Sequence, residues 1–362
     1  MRNLRYLTLL VVLAALVAVG GSTAAPPTTP STTVVMSGLN NPRGLEWGPG
    51  GWLYVAEAGA GGSTNTPCLV IRGLNQCAGA TGSVSRWKEG QRQERIATGL
   101  PSYDPEIQPA MDGATGPHDI SFRGGQAWVT IGMGGDPAVI RPAFGDGFGR
   151  LVRMNPTGHW RFSTDVSGYE QASNPDGGPI DANPYGLLAT HDATDVAEAG
   201  GNALLAVVKH GSISTVALFP SRPQGRRTDS VPTEVVAGPD GALYVSELTG
   251  GPFFPDEAKI WRVAGGIATP FLQGFADIVD IDWSCDGRQL YVLQIASGFL
   301  MAGPPVLLRV DPMTNTRTPI AGPELTRPTS VLVGCEKHGP DVLYVSNKGA
   351  MPAIGEVLRL VR

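Results

Sequence analysis

The chain has 362 residues, 42% hydrophobic and 16% charged, enough apolar content for a sizeable core and too little charge for a disordered polymer. Forty-nine glycines and 31 prolines without collagen periodicity ask for many tight turns between short strands. A net charge of −5, with no run of Lys or Arg, argues against nucleic acid or anionic membrane as a partner.

The first element in chain order is a secretory signal over residues 1–25. Arg2 and Arg5 form a basic start, Leu7 to Val19 an apolar stretch, and Ser22-Thr23-Ala24 or Thr23-Ala24-Ala25 a small-residue cleavage site. The apolar stretch is shorter than the ~20 residues of a membrane span. No cysteine follows it to carry a lipid anchor. A retained signal anchor is the alternative. Residues 26–32 read as a Pro/Thr-rich linker, and 33–362 as one domain without a further apolar span. The mature protein is therefore expected to be secreted or extracytoplasmic, monomeric, and not inserted in a membrane.

One pattern then recurs six times: NPRGLEWGPGGWLYVAEAG (41–59), GPHDISFRGGQAWVTIGMGG (116–135), NPYGLLATHDATDVAEAGGN (183–202), VPTEVVAGPDGALYVSELTG (231–250), ADIVDIDWSCDGRQLYVLQIASG (276–298) and RPTSVLVGCEKHGPDVLYVSNKG (327–349). Each copy has a short apolar strand, a Gly/Asp turn and a second strand of the Leu-Tyr-Val type. Turns such as Gly124-Gly125 and Asp240-Gly241 supply the positive φ of tight hairpins. A third strand follows at 83–87, 150–154, 204–208, 259–263, 307–310 and 357–361, often with an Arg. A fourth follows in most copies, at 94–98, 214–219, 269–273 and 316–322. Four strands at a period of about 40 to 50 residues are the mark of propeller blades rather than of a helical solenoid. The last copy lacks its fourth strand, and TVVMSGL (33–39) stands unpaired before the first. The expectation is an all-β, six-bladed propeller of four-stranded blades whose N-terminal strand completes the last blade and closes the ring.

Strand polarity gives this ring two unlike rims. First-to-second and third-to-fourth turns are short throughout, whereas the long connections (60–81, 99–115, 133–148, 163–182, 220–230, 249–257) share the other rim. First strands are expected to bring Asn41, Arg43, His118, Asp119, Asn183, Tyr185, Thr233, Glu234, Asp277, Asp280, Thr329 and Ser330 to the channel mouth there. Second-strand ends are expected to bring Glu57, Ile131, Glu198, Glu247, Gln294 and Asn347. Buried carboxylates need partners or a cation, which leaves three readings. The carboxylates pair with Arg43, backbone N–H groups or water. Alternatively, Glu57, Asn183, Glu198 and Glu247 hold a divalent cation such as Ca2+ through oxygen ligands. In the third reading His118, the sole histidine at the mouth, is an acid/base beside Asp119. His159, His191, His210 and His338 fall at turns and read as solvated, and the tryptophans as inter-blade packing. Four cysteines in an oxidising compartment predict the bridges Cys68–Cys77 and Cys285–Cys335. No nucleophile elbow, zinc-protease motif, P-loop or dinucleotide fingerprint is present.

Taken together, NPRGL…LYVAEAG, the loop from Cys68 through Cys77 to Ser83, ATGPHDISF (114–122), NPDG (174–177), NPYGLLA (183–189), VPTEV…LYVSELTG and GEVLRL (355–360) resemble the ScyD/ScyE family. The resemblance spans the mature chain. It implies an exported bacterial propeller related to NHL-repeat proteins, and it brings no catalytic residues with it. At the level of blade pattern the chain is also similar to virginiamycin B lyase-like and gluconolactonase-like propellers, which use metal-dependent chemistry at the channel mouth. Sorbosone-dehydrogenase-like quinoproteins are more distant, since the His-Gly-Pro-Arg-Gly segment is absent. The functional expectation is a propeller that binds a small molecule or protein at the long-loop rim and channel mouth. The alternatives are a metal-dependent lyase or lactonase-like hydrolase, and a purely structural envelope protein.

Overall fold

In the computed structural model each repeat forms one antiparallel sheet; residues 31–63, 65–105, 113–221, 228–322, 324–335 and 339–361 are described. The signal segment, linker residues 26–30 and His338 lie outside the described residues. Strand β1 (Ser31–Leu39) precedes the first blade, which comprises β2 (Pro42–Gly48), β3 (Trp52–Glu57), β4 (Cys68–Ile71), β5 (Leu74–Trp87) and β6 (Glu94–Pro105). The second holds β7 (Pro117–Arg123), β8 (Gln126–Ile131), α1 (Pro137–Phe144), β9 (Arg150–Met154), β10 (Trp160–Asp165) and α2 (Val166–Ser173). The third is β11 (Pro184–Ala189), β12 (Thr194–Glu198), β13 (Ala203–Val207) and β14 (Ile213–Leu218). The fourth is β15 (Pro232–Ala237), β16 (Leu243–Glu247), β17 (Ala258–Ala264) and β18 (Ile267–Phe275). The fifth is β19 (Ile278–Trp283), β20 (Leu290–Gln294), β21 (Val306–Asp311) and β22 (Thr316–Ala321). The sixth is β23 (Ser330–Gly334), β24 (Val342–Asn347) and β25 (Gly355–Val361), with β1 as its fourth strand.

The second strands read as nearly unbroken apolar runs because both their faces are covered. In β3, Leu53 and Val55 pack toward the sixth blade while Tyr54 and Ala56 pack toward the second. An apolar cluster fills each junction between neighbouring blades, so the core is a ring of six interfaces around a channel. Closure is as expected: β1 pairs antiparallel with β25, from Ser31 opposite Val361 to Leu39 opposite Gly355. The strand starts two residues before position 33, because β25 continues to Val361 and its backbone needs Ser31 and Thr32 as partners.

Several expected loops are in fact ordered elements. The 60–81 connection is largely strand and β6 continues through residues 99–105: β4 and β5 form a hairpin with Cys68 opposite Cys77, and Ser102–Pro105 of β6 extends along it. Their small and polar residues hide a strand pattern. The second blade has a fourth strand, β10, which its polar, half-exposed sequence concealed. Two eight-residue helices occupy the 133–148 and 163–182 connections, capped by Asp136 with Pro137 in the first turn and by Asp165. Two turns are too few for periodicity to reveal. Both disulfides form. Cys68–Cys77 crosses the hairpin with a Cα separation of 4.1 Å, and Cys285–Cys335 ties the fifth blade to the sixth at 5.6 Å.

Candidate functional site

The inner strands begin with a shared irregularity. A bulge follows the first residue in five of them, between Pro42 and Leu45, Pro117 and Asp119, Pro184 and Leu187, Pro232 and Glu234, and Ile278 and Asp280. Bulges re-aim side chains. The residue presented just after the bulge is Gly44, Asp119, Gly186, Glu234 or Asp280, with Ser330 at the equivalent place in β23. The two glycines have a steric reason. A methyl on Gly44 would fall on the Asp119 carboxyl and 2.8 Å from its Cα, and one on Gly186 would come 2.9 Å from Glu234 Oε2. A missing side chain in one blade therefore makes room for the carboxyl of the next.

These polar groups also stitch the ring together. Asp119 Oδ2 accepts from Leu187 N and Asp280 Oδ2 from Val331 N, each at 2.8 Å and each from the following blade. Ser330 Oγ accepts from Leu45 N at 3.1 Å across the closure. Burial raises the carboxyls of Asp119 and Glu234 well above the usual range, and they repel each other, Asp280 and Glu46. Burial pushes Asp280 up to about 8, and Glu46 and Asp282 each to about 7. Acids from the first, second, fourth and fifth blades feel one another only if they gather around the axis. Glu46, Glu234 and Asp282 stay half-buried, consistent with an opening to solvent there. Burial thus favours the protonated form of these acids, in which a carboxyl both donates and accepts hydrogen bonds.

Above the acids sits a different group. Arg43 Nη2 donates to Ala114 O at 2.8 Å and the guanidinium also bonds Tyr185. The His118 ring packs against Tyr185 with centroids 4.7 Å apart, and Gly132 leaves the space the imidazole occupies. His118 bonds the Pro184 backbone, while its buried Nδ1 has no partner. Burial and then the Arg43 charge push its pKa down to about 3. The imidazole is thus neutral at physiological pH, able to give or take a hydrogen bond but a feeble base. Asp119 is held by Leu187 N, and its own N–H by Thr130 Oγ1 at 3.0 Å. The two expected catalytic partners are neighbours in sequence without forming an acid–base pair.

Four of the second-strand ends do something other than line the mouth: Glu57, Glu198, Glu247 and Asn347 each pin the segment leading into their own blade. Glu57 accepts from Asn40 N (2.7 Å), Ser85 Oγ (2.5 Å) and Arg95 (2.6 and 2.9 Å). Glu198 accepts from Asn183 N and Gly201 N, though burial still pushes its carboxyl up to about 8. Glu247 takes Ser230 Oγ and, at 2.8 Å, Trp261 Nε1. Asn347 Oδ1 takes Thr326 N at 2.7 Å, and Asn183 Oδ1 takes Met133 N at 3.1 Å. Glu57, Asn183, Glu198 and Glu247 are therefore distributed over three blades with separate partners. Among the described residues no three His, Cys, Asp or Glu side chains converge to hold a metal ion. Asn41 is fully buried and donates to Gly59 O at 2.7 Å, and Gln294 is buried at the end of β20. Asp277 is fully buried with neither carboxyl oxygen bonded, and burial pushes it up to about 7.

The structure thus brings together Arg43, His118, Asp119, Tyr185, Glu234 and Asp280 from the expected set, and adds Glu46 and Asp282. Both additions lie two residues beyond the position after the bulge, on the same strand face, a period-2 signal visible in Asp280-Ile281-Asp282.

No protein-family model and no curated protein matches the chain. Among solved structures it is similar to the PQQ-bound form of an aldose sugar dehydrogenase from Streptomyces coelicolor, with a TM-score of 0.52 and 14% identity over 93% of this chain and 99% of that one. It is also similar to a streptogramin B lyase, with a TM-score of 0.51 and 12% identity over 92% and 97% of the respective chains. Likeness at such identity concerns architecture and carries no chemistry across; the chain is a six-bladed β-propeller.

Proposed function

We propose that this is an exported binding propeller that holds a small, hydroxyl-rich ligand at the mouth of its central channel. The observation that carries the reading is the gathering of Asp119, Glu234 and Asp280 around the axis, beneath Arg43, His118 and Tyr185. Carboxyls that keep their protons near neutral pH offer both a donor and an acceptor to each hydroxyl. The cation this group presents to an anion is Arg43, which already bonds Ala114 and Tyr185. Two disulfides fit an oxidising, extracytoplasmic setting. The signal pattern at 1–25 and the ScyD/ScyE resemblance support export.

The test is calorimetric binding of a panel of monosaccharides and polyols to the wild-type protein, Glu234→Gln and Glu234→Leu. Gln copies the protonated acid and is expected to retain binding, whereas Leu is expected to lose about tenfold or more. Binding that Glu234→Leu leaves unchanged would place the ligand elsewhere. Loss in Glu234→Gln as well would mean that a charged carboxylate, and hence a cationic ligand, is what the site recognises.

A further inference from the structure

Each blade presents a cross-strand row of side chains to its successor near the short-loop rim. In the first blade the row is Glu46–Tyr54–Arg86–Glu94, with Arg86 and Glu94 paired at 2.8 Å. In the fourth, Tyr244 faces Arg262, whose acid is Asp240 at 2.7 Å. The same register in the second blade reads Ser121–Trp128–Arg153–Arg161. An indole replaces the phenol, and an arginine stands where the first blade has its glutamate.

The surroundings increase this positive charge. Arg153 stacks on Trp128 at 4.5 Å and Arg123 at 4.7 Å. Arg123 reaches only the carbonyls of Thr190 and Ala193, at 2.9 and 3.2 Å. Burial, then Arg161 and Arg123, lower the Arg153 pKa, so the cluster is electrostatically uncomfortable as it stands. Two buried donors, Trp128 Nε1 and Arg153 Nε, have no acceptor, and Trp128 is only 8% exposed.

The same interface also lacks bulk. At three other junctions an aromatic side chain from the following blade packs on the tyrosine: Phe122 on Tyr54, Trp283 on Tyr244, and Trp47 on Tyr344. The corresponding residue of the third blade is Ala189. A cleft of about 730 Å³ lies at this junction, with Arg123, Trp128, Arg153, Thr194 and His210 on its walls. That size suits a small organic molecule. Asp165, the one acid among its lining residues, is already held by Arg141 and by Arg150 at 3.3 Å.

We propose that this cleft between the second and third blades binds a phosphate or sulfate monoester of a small molecule. The tetrahedral oxyanion sits among Arg123, Arg153 and Trp128 Nε1, and its organic body lies along Leu151 and Val207. A bound oxyanion supplies both the missing acceptors and the counter-charge that Glu94 supplies in the first blade. The inference is independent of the channel reading.

The experiment is calorimetric titration of the purified protein with phenyl phosphate, phenyl sulfate and benzyl alcohol at ~0.15 M salt, where partly buried charges remain effective. One saturable site for an anionic ester and none for benzyl alcohol is expected. The stronger of the two esters identifies the natural head group, and equal affinities support the shared oxyanion chemistry. Arg161→Glu rebuilds the first-blade pair and is expected to weaken binding about tenfold or more while keeping the fold. Should that variant misfold, Arg153→Gln removes a donor without adding charge, and Ala189→Phe fills the cleft as Phe122 fills its own. The proposal is overturned if neither ester binds below ~10 mM, or if affinity is indifferent to the folded variants.

Discussion

At the channel mouth the repeat places acids at equivalent positions of three inner strands, and two glycines open the space they need. At the junction of the second and third blades the same repeat places arginines in register around an indole, and an alanine leaves the space. Both regions depart from the blade pattern by a handful of residues. Desolvation favours the protonated form of the acids and so lowers the charge of the channel, whereas the arginines cannot shed their protons and the cleft remains cationic. A repeated scaffold thus offers unlike chemistry at two places because single side chains change while the backbone does not.

The comparison can be strained by experiment, beginning with the largest effect. The fifth and sixth blades are tied by Cys285–Cys335, which closes 50 residues of chain, whereas neither disulfide joins the second to the third. Replacing both cysteines by serine is expected to lose about 4 kcal/mol in urea unfolding. An unchanged midpoint would mean the ring needs no such tie. Gly44→Val should follow, at about 3 kcal/mol, because its side chain lands on Asp119. It is expected to abolish channel binding while the cleft still takes phenyl phosphate. Loss of both would show that the two regions are not separable.

Acidity provides the next test. Glu46, Asp280 and Asp282 have folded pKa values raised to about 7 or 8, so their contribution is complete below the unfolded value near 4 and is lost as pH rises through the folded values. His118 works oppositely, being lowered to about 3, and its contribution is complete above pH 6.5 and falls below it. Asp165, lowered by Arg141, also loses its contribution in acid. The melting temperature is therefore expected to decline between about pH 6 and 9, by less in Asp280→Asn. A melting temperature that rises over that range would contradict the acid channel. The smallest effect is a gain. Ala189→Phe buries apolar surface in the cleft and should stabilise by about 1 kcal/mol.

Blade number, ring closure and both disulfides were legible in the sequence because each leaves a periodic or paired trace. The channel residues Arg43, His118, Asp119, Tyr185, Glu234 and Asp280 were legible from their common place after the strand-opening Pro or its equivalent. The role of Glu57, Glu198 and Glu247 was not, since a carboxylate at a strand end looks the same whether it faces an axis or a neighbouring loop. Only the partners, Asn40, Gly201 and Trp261, distinguish the two. The Arg153 cleft was hidden for a related reason. The arginine recurs in most blades, and what sets this copy apart is the residue across the strand, Arg161 in place of Glu94.

The central claim is that the channel carboxyls retain protons near neutral pH. Isotope-edited carboxyl NMR, titrated across about pH 3 to 10, tests it directly. The account predicts several carboxyl groups with midpoints near 7 to 8, changed in the Asp119→Asn, Glu234→Gln and Asp280→Asn variants. A spectrum in which every carboxyl titrates below about 5 would contradict it.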